Sequence, residues 1–271
     1  MSDLWAERRA AVQAKAAPLA ARMRPRTLDE VAGQDHVLGE GKLLRRMLVA
    51  DAIMSLILHG PPGTGKTTLA KLIADYTKRH FVAENAASVG VKRIREIIDD
   101  SARRVEGGGR GTILFLDEIH RFTRSQQDVL LGDVERGLVT LVGATTENPL
   151  FACNAALVSR STLFRLEPLS ENDIVGMLRR AIADEERGFG KRSIEASDEA
   201  LRVWAIKCDG DARRALTALE VAVLSSDTET IVIDRAVAEE SIQQKAAVYA
   251  DDEHYDSASA LIKSVRGNDP D

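Results

Sequence analysis

Ser55-Leu56-Ile57-Leu58-His59-Gly60-Pro61-Pro62-Gly63-Thr64-Gly65-Lys66-Thr67-Thr68-Leu69 is the stretch that decides the fold. Its middle, Gly60 to Thr67, matches the phosphate-binding pattern G-x-x-x-x-G-K-[ST] at every fixed position. Gly60, Gly63 and Gly65 free the backbone to wrap N–H groups around phosphate oxygens. Lys66 has the reach for β and γ phosphates, and the Thr67 hydroxyl can bind Mg²⁺. Pro61, Pro62, Thr64 and Thr68 complete the cradle. The flanks agree with this reading. Ser55 to Leu58 reads as a buried strand entering the loop, and Leu69, Leu72, Ile73 and Tyr76 give helical spacing leaving it. The N-terminus of that helix points partial positive charge at the phosphates. A structural Gly/Pro turn explains the glycines but not the Lys-Thr pair.

Outward from the loop, apolar strands alternate with amphipathic helices between about residues 54 and 166. Strands are expected at 54–58, 81–84, 112–116, 138–144 and 163–166. Val91, Ile94, Ile97 and Ile98 mark one helix face; Val129, Leu130 and Val134 mark another, with Ser125 to Asp128 as a capping box at its start. The polar, Gly-rich segment 106–111 reads as a mobile loop. Strand–helix alternation predicts an α/β fold with a parallel sheet covered on both faces. Beyond a boundary near Pro168 the pattern turns helical. Ser170 to Asp173 forms a capping box, and helical runs follow at 198–207, 211–224 and 234–245. Strand signal there is confined to 230–233. The expected division is a segment 1–20, a core 21–168, a helical lid 169–245 and the start of a further region at 246–271.

The 271 residues carry 37 Lys and Arg against 42 Asp and Glu, a formal net charge of −5. That balance excludes bulk electrostatic attraction to nucleic acid, though local basic patches stand at Arg22, Arg24 and Arg26 and at Lys92, Arg93 and Arg95. At 4% aromatic residues, no base-stacking platform is indicated. No apolar run reaches membrane-span length, so no membrane partner is expected. Trp5 to Ala21 reads as a short solvated helix ended near Pro18; Asp3 and Glu7 argue against a targeting presequence. Cys153 and Cys208 lack metal-ligand spacing and fit buried thiols in a reducing cytoplasm. His36 and His120 read as surface or packing residues.

A second motif lies downstream. Ile113-Leu114-Phe115-Leu116-Asp117-Glu118 is an apolar strand ending in two carboxylates. In a P-loop enzyme Asp117 helps to hold Mg²⁺, usually through water, and Glu118 orients and polarises the attacking water. A strand capped by acidic residues is the plain alternative.

Together with these motifs, four further runs carry a resemblance. They are Ala20-Ala21-Arg22-Met23-Arg24-Pro25 with Val31-Ala32-Gly33-Gln34; Asp117-Glu118-Ile119-His120-Arg121-Phe122 with Gln126-Gln127-Asp128; Gly143 to Pro149; and Gly210 to Leu216. The ordered set, spanning residue 19 to the end, resembles AAA+ ATPases of the clamp-loader clade. More narrowly it resembles the replication-associated recombination protein A (RarA, also MgsA) family, whose eukaryotic relatives are the Werner-helicase-interacting proteins. The resemblance implies a P-loop AAA+ core with an all-helical lid, and DNA-dependent ATP hydrolysis at stalled or gapped replication forks. ATP and Mg²⁺ are the implied cofactors.

The resemblance also implies roles. Thr146 is sensor 1, at a strand end. Arg160 is an arginine finger acting on ATP held by a neighbouring copy, although Ser161 follows it where clamp loaders usually have Cys. Arg213 is sensor 2; Arg214 adjoins it, and alignment selects Arg213. Asn85 is the restraint on Glu118, and Val31, Gly33 and Gln34 line the adenine pocket. Implied partners are DNA forks, gaps or single-strand/double-strand junctions, single-strand-binding protein and further copies of the chain, in a bacterial, nucleoid-associated cytoplasmic setting. The family's C-terminal region assembles tetramers. Residues 255–271 resemble its beginning, so weak association and weak ATPase activity are expected. Two rivals remain: clamp loading or branch migration on the same core, and a nucleotide-gated scaffold with negligible turnover.

Overall fold

The computed structural model describes residues 17–242. The expectations for residues 1–16 and for 243–271 lie outside them. Three short turns lead in: α1 (Leu19–Arg22), a 3₁₀ turn Leu28–Glu30 and α2 (Asp35–Leu38), then α3 (Leu43–Val49). The repeating part follows as β1 (Leu56–His59), α4 (Lys66–Thr77), β2 (His80–Asn85), α5 (Val91–Glu106), β3 (Thr112–Asp117), a 3₁₀ turn Ile119–Arg121, α6 (Arg124–Glu135) and β4 (Val139–Thr145). The turns α7 (Pro149–Ala152) and α8 (Ala155–Ser159) lead to β5 (Thr162–Arg165).

The five strands form one parallel sheet in the order β2-β3-β4-β1-β5. Alternate residues of each strand feed opposite layers, as the period of two requires. Leu56 and Leu58 of β1 and Ile113 and Phe115 of β3 pack with Leu69, Leu72 and Ile73 of α4 on one face. Ile57, Leu114 and Leu116 pack with Ile94, Ile97 and Ile98 of α5 and Leu130 of α6 on the other. The i, i+3, i+4 spacing in α5 puts its isoleucines on one stripe. Ser101, a turn further on, donates to the Leu138 carbonyl at 2.6 Å and accepts from the Thr112 N–H at 3.1 Å, which fixes the helix to the start of two strands. The capping box of α6 begins two residues earlier than expected. Thr123 and Gln126 form it, because the Thr123 hydroxyl accepts from the Gln126 N–H and the Gln126 side chain accepts from the Thr123 N–H.

The second part is helical, with one addition. Helices α9 (Glu171–Ala183), α10 (Asp198–Lys207), α11 (Ala212–Leu224) and α12 (Arg235–Ser241) are accompanied by β6 (Ser193–Ala196) and β7 (Thr230–Ile233), which pair in parallel. The Ser170–Asp173 capping box opens α9 as the sequence predicts. This part has its own core around Trp204, which is fully buried and donates from its indole to the Ala238 carbonyl and the Ser241 hydroxyl, each at 3.0 Å. Leu19 and Met23 pack into that core as well.

Candidate active site

At the carboxyl edge of the sheet, β1 delivers the chain into the glycine loop. The loop's conformation is left-handed where glycine permits it, with φ +74° at Gly63 and +98° at Gly65. Space is the second demand. A Cβ on Gly60 would stand 2.2 Å from the Leu166 carbonyl oxygen, and one on Gly63 only 1.9 Å from an oxygen of Asp211. Thr64 is buried and donates to the Pro61 carbonyl at 2.9 Å. Pro61 and Pro62 lie on the exposed outer side of the loop, and Thr67 and Thr68 are half-buried in the first turn of α4.

Lys66 is 8% exposed. Its Nζ donates to the carbonyls of Gly60 at 2.6 Å and Pro61 at 2.8 Å, so its charge rests on neutral partners. Burial pushes its pKa below the ordinary lysine value. Asp117 and Glu118 oppose that shift, Arg213 adds to it and Asp211 opposes it. A buried cation held only by backbone oxygens, with a carboxylate pair nearby, suits an anionic ligand that brings its own cation.

The strand ends line up beside this loop. In register, His59 of β1 faces Thr145 of β4, and Asn85 of β2 faces Asp117 of β3. The Glu118 N–H donates to the Asp117 carboxylate at 3.1 Å, and Glu118 takes φ +53°. That turn swings the Glu118 side chain out of the strand. Asn85, Glu118, Arg121 and Gln126 line a shared open cleft of about 770 Å³. The Asn85 side-chain oxygen accepts from the Ala87 N–H at 2.8 Å, closing its own turn.

The partner of Glu118 is a residue read as packing. His120, its side chain 5% exposed, places Nε2 3.1 Å from a Glu118 oxygen and 3.3 Å from one of Glu147, while Nδ1 lies 2.9 Å from the Thr145 hydroxyl. The sequence carried a signal for it, a histidine closing a short turn directly after the paired carboxylates. His36 does lie at the surface, on the Arg165 carbonyl.

The remaining predicted residues divide by position. Thr146 is exposed, one residue past β4. Arg213, on the first turn of α11, is exposed and near enough to depress the Lys66 pKa. Arg160 caps α8, pairs with Glu135 of α6 and donates to the Ala156 carbonyl at 3.0 Å. Neither partner belongs to the loop or to the carboxylate pair. Gln34 is buried, giving an N–H to the Glu167 carbonyl at 2.8 Å and taking the Glu167 N–H at 3.2 Å. Gly33, at φ +69°, leaves no room for a Cβ beside Leu169 and Asp173, and Val31 packs against the core. A feature not foreseen is a cleft of about 300 Å³ between Arg22, Arg24, Pro25 and Arg26 and the α4 face formed by Thr68, Lys71, Leu72 and Asp75. The Arg22–Arg26 patch, read as a solvated face, walls it.

Comparison with known proteins agrees with this geometry. The family described as "ATPase family associated with various cellular activities (AAA)" matches residues 56–167, and the one described as "AAA C-terminal domain" matches residues 190–266. Replication-associated recombination protein A of Escherichia coli (strain K12) is 46% identical over 259 residues, covering 94% of this chain and 58% of that protein. An uncharacterized AAA domain-containing protein of Mycobacterium tuberculosis is 50% identical, covering 94% of this chain and 56% of the relative. The chain thus spans somewhat under three fifths of these relatives. Among solved structures, the Thermotoga maritima RuvB Holliday junction branch migration motor has the same fold. Its TM-score is 0.61 at 24% identity, over 81% of this chain and 72% of that one.

Proposed function

The chain belongs to the replication-associated recombination protein A family of AAA ATPases, and on that footing we propose that it hydrolyses ATP in response to DNA at stalled or gapped replication forks. One observation carries the reading. A glycine-built loop holding buried Lys66 stands at the same sheet edge as the Asp117–Glu118 pair, whose charges oppose the burial that lowers the Lys66 pKa.

Bound ATP with Mg²⁺ supplies the scissile phosphoanhydride and much of the counter-charge. The rest falls to side chains. Lys66 exchanges two carbonyls for phosphate oxygens, and the loop N–H groups from Gly60 to Thr68 cradle the phosphates. Thr67 and Asp117 would hold the Mg²⁺, which would supply Lewis-acid charge at the phosphates. Glu118 orients the attacking water, and Thr146 positions it from the tip of β4. Arg160 serves a neighbouring copy, countering charge that builds on the transferred group. Val31, Gly33 and Gln34 would hold the adenine base. The working division is the core 21–168 and the lid 169–245.

DNA junctions, single-strand-binding protein and other copies of the chain are the proposed partners, with a tetramer as the full assembly and a cytoplasmic, nucleoid-associated setting. Among the described residues, no helix is long and apolar enough to cross a membrane. The fold shared with a branch-migration motor supports a second reading, tested by giving the chain four-way junctions.

Lys66→Ala and Glu118→Gln test the site together. Lys66→Ala is expected to lose ATP binding. Glu118→Gln is expected to bind a fluorescent ATP analogue within about twofold of wild type while turnover falls roughly 10²-fold or more, the usual weight of a proton-handling group. Wild-type turnover in either variant contradicts the assignment.

A further inference from the structure

We propose that His120 is a positioning residue for hydrolysis, tying the tip of β4 to the Glu118 carboxylate through a single N–H for which Glu118 and Glu147 compete. This rests on Glu118 serving the attacking water.

The connection is built from the strand upward. Gly143 of β4 carries no Cβ; one there would meet Ile119 Cδ1 at 3.0 Å. The 3₁₀ turn Ile119–Arg121 therefore lies flat on β4, with Ile119 fully buried, and the His120 ring is brought against Thr145. The Thr145 hydroxyl, wholly buried, accepts from the Glu147 N–H at 3.0 Å. Its own hydrogen is left to donate to Nδ1. In the neutral imidazole the two carboxylates, acceptors only, 3.1 and 3.3 Å from Nε2 select the tautomer with the hydrogen on Nε2, and Nδ1 is then the acceptor for the Thr145 hydroxyl. One donor cannot serve both acceptors at full strength. Thr146 and Glu147 directly follow Thr145, so a shift of the β4 tip moves Glu147 and the ring together. The share of the N–H left to Glu118, and hence its orientation, changes with them. Packing alone does not require a buried imidazole with one nitrogen on a hydroxyl and the other beside two carboxylates at this place.

His120→Ala is expected to lower kcat about tenfold in the presence of DNA, while affinity for a fluorescent ATP analogue stays within about twofold and Tm is little changed. His120→Gln, whose amide reaches the place of Nε2, should recover most of the rate; His120→Asn, which reaches only the place of Nδ1, should not. Long-range ¹H–¹⁵N spectra of the histidines give a readout independent of turnover. The His120 signals, identified by their absence in His120→Gln, should show Nε2 protonated and should shift in both Glu118→Gln and Glu147→Gln. A wild-type rate in His120→Ala beside a dead Glu118→Gln overturns the inference and spares the Glu118 assignment. So do equal losses of rate and Tm in the Gln and Asn variants, or His120 signals indifferent to Glu118→Gln. A fully active Glu118→Gln removes the Glu118 assignment and the inference with it.

Discussion

Gly63 shows how much a single position carries. Its φ of +74° strains any residue with a Cβ, and that Cβ would run into the Asp211 carboxylate, which caps α11 by accepting from the Arg214 N–H at 3.0 Å. Gly65 has a similar backbone conformation but nothing within 4 Å of a built Cβ. Gly63→Ala should therefore lower Tm by several degrees more than Gly65→Ala. Backbone strain of order 1 kcal/mol is common to both and the collision is not. Equal Tm values for the two variants would mean that the lid does not press on the loop. At this scale the glycine loop that leads from β1 into α4 at Lys66 and the strand that ends at Asp117 were legible as local structure, because their spacing is local and chemically demanding. The Asp211 contact was not, because it joins distant parts of the chain. His120, read as a surface or packing residue, has a side chain 5% exposed; its contacts with Thr145 and Glu147 were not legible, because they join separate parts of the chain.

At the scale of elements, the five sheet strands and the long helices follow from hydrophobic period. The strand Ser193–Ala196 escaped notice because Ile194 is its one large apolar residue and four residues give little pattern. Pairing with Thr230–Ile233 makes it a strand. The shifted capping box of α6 is a boundary error of the usual kind, since Thr123 and Ser125 both can cap. The two cysteines, read as buried thiols, are buried. Desolvation pushes Cys153 up from about 9 to about 11, and Cys208 to about 12. The thiolate is the reactive form, so a disulfide-exchange reagent at pH 8 should label neither thiol in the native protein and both after denaturation. Rapid labelling of either in the native state would place it in a different environment. Raised thiol pKa values stabilise the fold below the unfolded value near 9 and lose that contribution as pH climbs through the folded values. Alkaline unfolding should accordingly set in above pH 9.

Across the whole molecule, the arm before the P-loop joins core to lid. Leu19 and Met23 sit in the lid core, and the Leu19 N–H donates to Glu220 at 2.8 Å. Arg187 reaches Glu30 at 2.8 Å and Asp184 at 2.9 Å. Its hydrogen bonds hold both carboxyls below their ordinary range. Gln34 clasps Glu167 at the exit of the core. Lid position is thus tied to the loop through Asp211 and to the arm through Arg187, the kind of linkage that the proposed activity would use. Arg160 pairs with Glu135 and the Ala156 carbonyl, neither of them part of that assembly, and is proposed to serve a neighbouring copy. The central claim, a DNA-responsive ATPase completed between copies, is tested most directly by steady-state ATPase activity over a wide range of protein concentration, with and without gapped duplex DNA. The expected result is a rate per molecule that rises with concentration and rises again with DNA. ATP binding accompanied by a rate that is flat in both would contradict it.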